Sequence, residues 1–233
     1  ERLEKRKVIR LLQVALSMNT EFARRQMVEQ QVRTWDVTDP EVLAVLAGTV
    51  REHFVPDDYT AVAYADTEIP IGHGQVMLRP SIEGRLLQAL QIRPGDRVLE
   101  IGTGTGYLTA CLAALSAHVT SVEIHEDFIA RARHQLDDAE IGNVEIVAMD
   151  AIAGLPDGTF DVIAVTGSSP EPIAHFAEAL NAGGRLFTVI GRSPVKHAWL
   201  TTKTIDGQLA TKALFETDIP PLVNAERPPA FSF

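Results

Sequence analysis

The sequence predicts an α/β protein whose mostly parallel sheet is doubly wound by helices, preceded by a helical cap and finished by an antiparallel strand pair. Three observations carry that expectation. The apolar run Val98-Leu99-Glu100-Ile101 lies between the turn Pro94-Gly95-Asp96 and three alternate glycines, Gly102, Gly104 and Gly106, as a buried strand entering a helix would. Strand-length apolar runs and helical stripes then alternate up to Gly191. At 233 residues, 45% of them hydrophobic, the chain can bury a sizeable core as one domain with elaborations.

Residues 1–17 set Arg2, Lys5, Arg6, Lys7 and Arg10 ahead of Leu11, Leu12, Val14 and Leu16. The apolar part is short, broken by Arg10 and Gln13, and lacks a clear small-residue cleavage site. It reads as an extension ahead of Met18 or an amphipathic packing helix, not as a signal peptide. Residues 18–95 read as the cap. Phe22 to Arg33 has a helical pattern, and Thr38-Asp39-Pro40-Glu41 offers an N-cap and an early proline for a helix through Ala47. Ala63 to Gln75 mixes aromatic, turn and polar residues without a sustained period, which predicts an irregular functional loop.

Ile82, Leu86, Leu87 and Leu90 mark one helix face, and residues 96–233 read as the sheet domain with its tail. After the glycine loop come a stripe at Leu108, Leu112 and Leu115, a strand ending at Glu123, a helix from Phe128 to Leu136, and a strand ending at Ala148. A fourth strand is expected from Asp161 to Val165, a helical stripe at Ile173, Phe176, Ala177 and Leu180, and a fifth strand from Arg185 to Gly191. Runs ending at Ile205 and Phe215, joined across Asp206-Gly207, predict the antiparallel pair. The tail from Ile219 holds too many prolines for a central strand or helix.

Composition excludes some function classes. With 31 acidic against 21 basic residues the net charge is −10, which argues against a nucleic-acid backbone as partner. A single cysteine, Cys111, excludes a disulfide framework and suggests a reducing, cytoplasmic setting. No apolar run approaches a membrane span, and no metal-ligand spacing is read.

The ligand-binding chemistry starts at the glycines. A dinucleotide fingerprint would place its third glycine at position 107, where Tyr107 stands, so the pyrophosphate reading is weakened. The run Glu-x-Gly-x-Gly-x-Gly instead resembles the first motif of S-adenosylmethionine-dependent methyltransferases. Glu123, ending the second strand, can accept from both ribose hydroxyls, a use that NAD enzymes share. Asp150, just after the third strand, can accept from an adenine amino group.

A more specific resemblance follows from Met27-Val28-Glu29-Gln30-Gln31-Val32, Arg51-Glu52-His53-Phe54-Val55-Pro56, Ala63-Tyr64-Ala65-Asp66, and Ile69-Pro70-Ile71-Gly72-His73-Gly74-Gln75 with Pro80. From about Met18 to Val223 the chain resembles the protein-L-isoaspartate (D-aspartate) O-methyltransferase family. The resemblance implies a Rossmann-like methyltransferase fold, S-adenosyl-L-methionine as cofactor, and a protein or peptide substrate methylated on its isoaspartyl carboxylate. It also implies a cofactor site made from Glu100, Ile101, Gly102, Thr103, Gly104, Gly106, Tyr107, Glu123, Ile124, Asp150, Ala151 and Thr166. On the acceptor side it implies that Asp66, Ile71 and Gln75 shape the substrate pocket, with Asp66 and Gln75 as catalytic candidates; Arg79 joins them only through a departure from the family's pattern.

One departure stands out. Where the family has Gly-Gln-Thr-Ile-Ser-x-Pro, this chain has Gly74-Gln75-Val76-Met77-Leu78-Arg79-Pro80, so two hydroxyls become Val76 and Leu78. Arg79 is the expected replacement through a charge-assisted contact, with Thr166, Ser168 and Ser169 as an alternative source of hydroxyls. His73 reads as a loop histidine unless the nucleophile needs a base. A different small-molecule or peptide acceptor, or cofactor binding without turnover, are the competing functions. Monomer and homodimer are both compatible with the sequence.

Overall fold

The computed structural model describes residues 19–225, so the expectations for residues 1–18 and for the tail beyond Ala225 lie outside the described residues. Helix α1 (residues 19–26) runs on through a π-helical segment, Met27–Val32, and a 3-10 turn, Arg33–Trp35, that ends at left-handed Asp36. Helix α2 (Pro40–Gly48) begins as the sequence predicts. The Asp39 carboxylate accepts from the amides of Glu41 and Val42, and Pro40 occupies the first turn, where no amide hydrogen is needed.

The segment expected to be irregular is in part regular. Ile69–Gly72 (β1) and Gln75–Met77 (β2) form a two-stranded antiparallel hairpin with an irregularity between Pro70 and Gly72. Only β1 carries the alternation, with Ile69 and Ile71 buried and Pro70 and Gly72 exposed, and four residues are too short for that pattern to stand out. Helix α3 (Pro80–Leu90) follows and buries Ile82, Leu86, Leu87 and Leu90.

The main sheet is built from β3 (Arg97–Ile101), β4 (His118–Glu123), β5 (Val144–Ala148), β6 (Phe160–Ser169), β7 (Leu180–Arg192), β8 (Val195–Lys203) and β9 (Leu209–Thr217). Its order is β5-β4-β3-β6-β7-β8-β9. Pairing is parallel as far as β7 and antiparallel through β8 and β9. Helices α4 (Tyr107–Leu115), α5 (Glu126–Asp138) and α6 (Ala174–Glu178) connect the parallel strands.

Several predicted boundaries need correction, including the start of β7 at Leu180 instead of Arg185 and of β8 at Val195 instead of Trp199. The stripe Ile173–Leu180 yields only the short α6, because Leu180 already pairs with Phe160 in the sheet. Strand β6 runs past Val165 to Ser169, where Ser168 pairs with both Val189 and the tail residue Pro221.

Alternation along β3 sorts its side chains onto the two faces. Val98 joins the apolar cluster that includes Leu112 and Phe128, whereas Leu99 and Ile101 pack with Phe160 and Phe176. The first cluster also takes in Met27 and Leu46, so the apolar core is continuous across residue 95.

Candidate active site

The strand order reverses at β3, whose neighbours β4 and β6 lead away on opposite sides. Open sheets of this kind bind ligands beyond the carboxyl ends of the strands at such a point. A cleft of about 820 Å³ lies there, bounded by the glycine loop, the ends of β4 and β6, the β1–β2 hairpin and the tail. Of the residues predicted for the site, Gln75, Ile101, Gly102, Thr103, Gly104 and Glu123 line it, as do Ile124, Asp150, Ala151 and Thr166.

The loop glycines have distinct reasons. Gly102, Gly104 and Gly106 all have positive φ, at 99°, 55° and 87°. At Gly102 a Cβ would come within 2.2 Å of Thr166 Oγ1, whose hydroxyl lies 3.0 Å from the Ile101 carbonyl oxygen and 2.8 Å from that of Gly102. Glycine there lets β6 close on the loop. Glu123 takes up backbone donors from this loop and from the turn after β4: Oε2 accepts from Gly104 N at 2.9 Å, and Oε1 from Ile124 N at 2.9 Å and His125 N at 3.0 Å. Three amide donors orient the carboxylate and leave it capacity for further hydrogen bonds at the rim.

Glu100, Gly106 and Tyr107, also expected in the cofactor set, do not line the cleft. Glu100 alternates with Leu99 and Ile101 and so faces α4 from inside the core. There Oε2 accepts from Thr109 Oγ1 at 2.5 Å and Ser121 Oγ at 2.6 Å. Burial pushes its carboxyl up to about 8, against the pull of those two hydroxyls. A Cβ at Gly106 would press on Ala132 of α5 at 3.2 Å, so this glycine serves helix packing. Tyr107 is buried with its ring edge-on to Phe54 and under the Arg51 guanidinium.

The acceptor wall also departs from expectation, because Asp66 and Arg79 do not line the cleft. Asp66 caps α3 from outside that helix, accepting from Ser81 N at 3.0 Å and Ser81 Oγ at 2.9 Å. Arg79 sits at the N-cap of α3, and its guanidinium makes no hydrogen bond or ion pair among the described residues; its Nε is buried. The arginine that organises this wall is Arg51, which is fully buried. It donates to the carbonyls of Ala63 at 2.9 Å and Leu78 at 2.6 Å and pairs with Glu83. Glu83 faces the cleft, and burial pushes it up to about 7 against the attraction of Arg51. Arg51 belongs to the motif singled out in the sequence, but nothing local shows that its partners lie 12, 27 and 32 residues away.

Sequence reasoning missed the tail strap and the partners of His73. The tail crosses the strand ends as a strap: Ser168 N donates to Pro220 O and Leu222 N to Ser168 O, both at 2.9 Å, which sets Leu222 and Val223 into the cleft. Gln75 Nε2 donates to Pro221 O at 3.2 Å, and Asn224 Nδ2 to Asp150 Oδ2 at 2.9 Å. At the hairpin tip, His73 (φ 52°) stacks on His125 with centroids 4.0 Å apart and lies 3.0 Å from Asp127 Oδ1. Donor atoms of these three residues fall within 4.8 Å of one another. The near-parallel rings, however, aim their in-plane lone pairs side by side and not at one centre.

The lining has a clear electrostatic character. Among the described residues it contains Glu123 and Asp150, together with Glu83, which Arg51 pairs from behind the wall, and neither lysine nor arginine. Such a cleft is poorly suited to a pyrophosphate and well suited to a nucleoside that carries positive charge.

Comparison with known proteins agrees. The family model for protein-L-isoaspartate(D-aspartate) O-methyltransferase matches residues 23–227. A protein-L-isoaspartate O-methyltransferase of Methanoculleus marisnigri is 43% identical over 169 residues, 72% of this chain and 77% of that protein. One of Koribacter versatilis is 39% identical over 202 residues, 86% of this chain and 90% of its own. A solved protein-L-isoaspartate O-methyltransferase superposes with a TM-score of 0.73 at 26% identity, covering 85% of this chain and 65% of that one. A Plasmodium falciparum protein of the same description, in complex with S-adenosyl-L-homocysteine, shares the fold at TM-score 0.73 and 21% identity, over 85% and 97% of the two chains. The chain therefore belongs to the protein-L-isoaspartate (D-aspartate) O-methyltransferase family.

Proposed function

We propose that this chain uses S-adenosyl-L-methionine to methylate the isoaspartyl carboxylate of damaged proteins and peptides. The observation that carries the reading is the cleft itself: an acid-lined, glycine-floored crevice at the strand-order reversal, in a chain that aligns with this family over most of its length. When bound, the cofactor supplies a methyl group on a positively charged sulfur.

The residues present fit that group. Glu123, pinned by three backbone amides, would hold the ribose hydroxyls, and Asp150 the adenine amino group. Gly104 leaves room beside Ile71, where a Cβ would come within 3.3 Å, and Gly102 keeps the loop flat against Thr166. The acidic lining favours a cation over the neutral product that leaves.

An acceptor carboxylate has an ordinary pKa near 4 and is ionised at neutral pH, so no general base is needed. The protein's work is alignment of the carboxylate with the methyl–sulfur axis and exclusion of water. Ile71, Val76 and Leu78 supply an apolar wall, and the Gln75 carboxamide a polar contact within it. Asp66 acts through its cap on α3 and the Leu78 region, as a positioning residue. Arg79, outside the lining, has a guanidinium without a hydrogen-bond partner among the described residues, which suits it to pair with a carboxylate of the acceptor polypeptide. The single cysteine, buried as Cys111, suits a reducing compartment such as the cytoplasm.

The test is incubation with methyl-labelled S-adenosylmethionine and a peptide carrying isoaspartate, beside the same peptide with ordinary aspartate. The expected result is a base-labile methyl ester on the isoaspartyl peptide alone. Equal labelling of both peptides, or of neither, would overturn the reading.

A further inference from the structure

We propose that Asn224 is a positioning residue that fixes the Asp150 carboxylate as the reader of the purine, so that the cleft accepts 6-amino purine nucleosides and rejects 6-oxo ones. This rests on the cleft being the cofactor site.

Asp150 stands just beyond the last residue of β5, in a turn, where the sheet no longer constrains its side chain. Within that turn its only anchor is Ile152 N, which donates to Oδ1 at 2.9 Å. One hydrogen bond leaves the carboxylate plane free to rotate. Asn224 adds the second, donating from Nδ2 to Oδ2 at 2.9 Å. With one donor on each oxygen the plane is set, and an ionised carboxylate held in this way is acceptor-only. Such an edge pairs with an exocyclic amine and repels the oxygen of a 6-oxo purine.

The strap is built to deliver this amide. Its hydrogen bonds with Ser168 dock residues 220–222 on β6, and Leu222 and Val223 then face the cleft. Asn224 has φ 66°, in the left-handed region that asparagine tolerates better than most residues. Ala225 N closes the turn on Leu222 O at 3.1 Å. The reversal sends the side chain back toward Asp150, 74 residues earlier in the sequence. At its other side the strap accepts from Gln75 of the acceptor hairpin, so one short segment spans both halves of the site.

The experiment is isothermal calorimetry of S-adenosyl-L-homocysteine and S-inosyl-L-homocysteine, which differ at the purine 6-position. It uses the full chain and the variants Asn224→Gly and Asn224→Asp. Glycine removes the amide while keeping the left-handed backbone free of strain. Aspartate keeps the shape but replaces the amide donor with a second carboxylate, whose repulsion turns the Asp150 carboxylate away from the purine edge. The expected wild-type preference for the adenosyl ligand is on the order of 100-fold. Asn224→Gly should lower it to about 10-fold, chiefly by weaker adenosyl binding, and Asn224→Asp should lower it further. An unchanged preference in Asn224→Gly overturns the proposal, including the case in which both ligands weaken by one factor because the strap has merely loosened. Wild-type protein that binds neither ligand overturns the cofactor-site reading together with this proposal.

Discussion

The two walls of the cleft are built in opposite ways. The cofactor wall is sheet backbone: the glycine loop continues β3, and Glu123 at the end of β4 ties Gly104, Ile124 and His125 together within a short span of chain. The acceptor wall is a hairpin of seven strand residues outside the main sheet, held by side chains from elsewhere. Arg51 grips Ala63 and Leu78, Asp66 caps α3, and Gln75 reaches Pro221, 146 residues away. The cofactor wall should therefore persist as long as the domain is folded, whereas single side-chain deletions can loosen the acceptor wall alone.

The largest effect is expected for Arg51→Met. It removes two carbonyl contacts and leaves Glu83 buried without its partner, which should cost about 3–5 kcal/mol of stability by denaturant titration. In protein kept folded at low temperature, KM for the isoaspartyl peptide should rise strongly while the affinity for S-adenosyl-L-homocysteine stays within about threefold of wild type. Equal losses on both sides would show that the walls are not separable.

A second test addresses the floor of the cofactor wall. The folded-state pKa of Glu100, about 8, lies above its ordinary value of 4.5, so its contribution to stability is fully present below about 4.5 and is lost as pH rises through about 8. Unfolding free energies of wild type and Glu100→Gln, compared from pH 5 to pH 9, should diverge by a few kcal/mol in the variant's favour at the alkaline end. Groups common to both proteins cancel in that difference. Parallel curves would mean that Glu100 is ionised in the folded protein.

The smallest effect is expected for Asp66→Ala, which removes the cap from α3 and should cost about 1–2 kcal/mol. Faster amide exchange confined to residues 64–81, with the glycine loop unchanged, would sharpen the distinction between the walls. Faster exchange in both would remove it.

The same contrast explains what the sequence revealed. Strands β3 to β5, the α2 cap at Asp39 and the acids at 123 and 150 were legible because each depends on neighbours a few residues away or on a regular apolar period. Glu100 reads as part of a strand, but motif resemblance does not say which face it occupies; strand alternation puts it opposite Leu99, away from the cleft lining. Asp66 was recognised by its motif, but its partner Ser81 lies across the hairpin. The tail was read only as proline-rich, since no local pattern shows that Ser168 will dock it or that Asn224 will meet Asp150.

The acid-lined cleft at the strand ends is proposed to hold an S-adenosyl cofactor through Glu123. Calorimetric titration of wild type and Glu123→Gln with S-adenosyl-L-homocysteine, and of wild type with NAD, tests it most directly. One S-adenosyl-L-homocysteine site per chain is expected, with an affinity roughly 10- to 100-fold lower in Glu123→Gln and no heat with NAD. Binding of NAD, or undiminished S-adenosyl-L-homocysteine binding by Glu123→Gln, would contradict it.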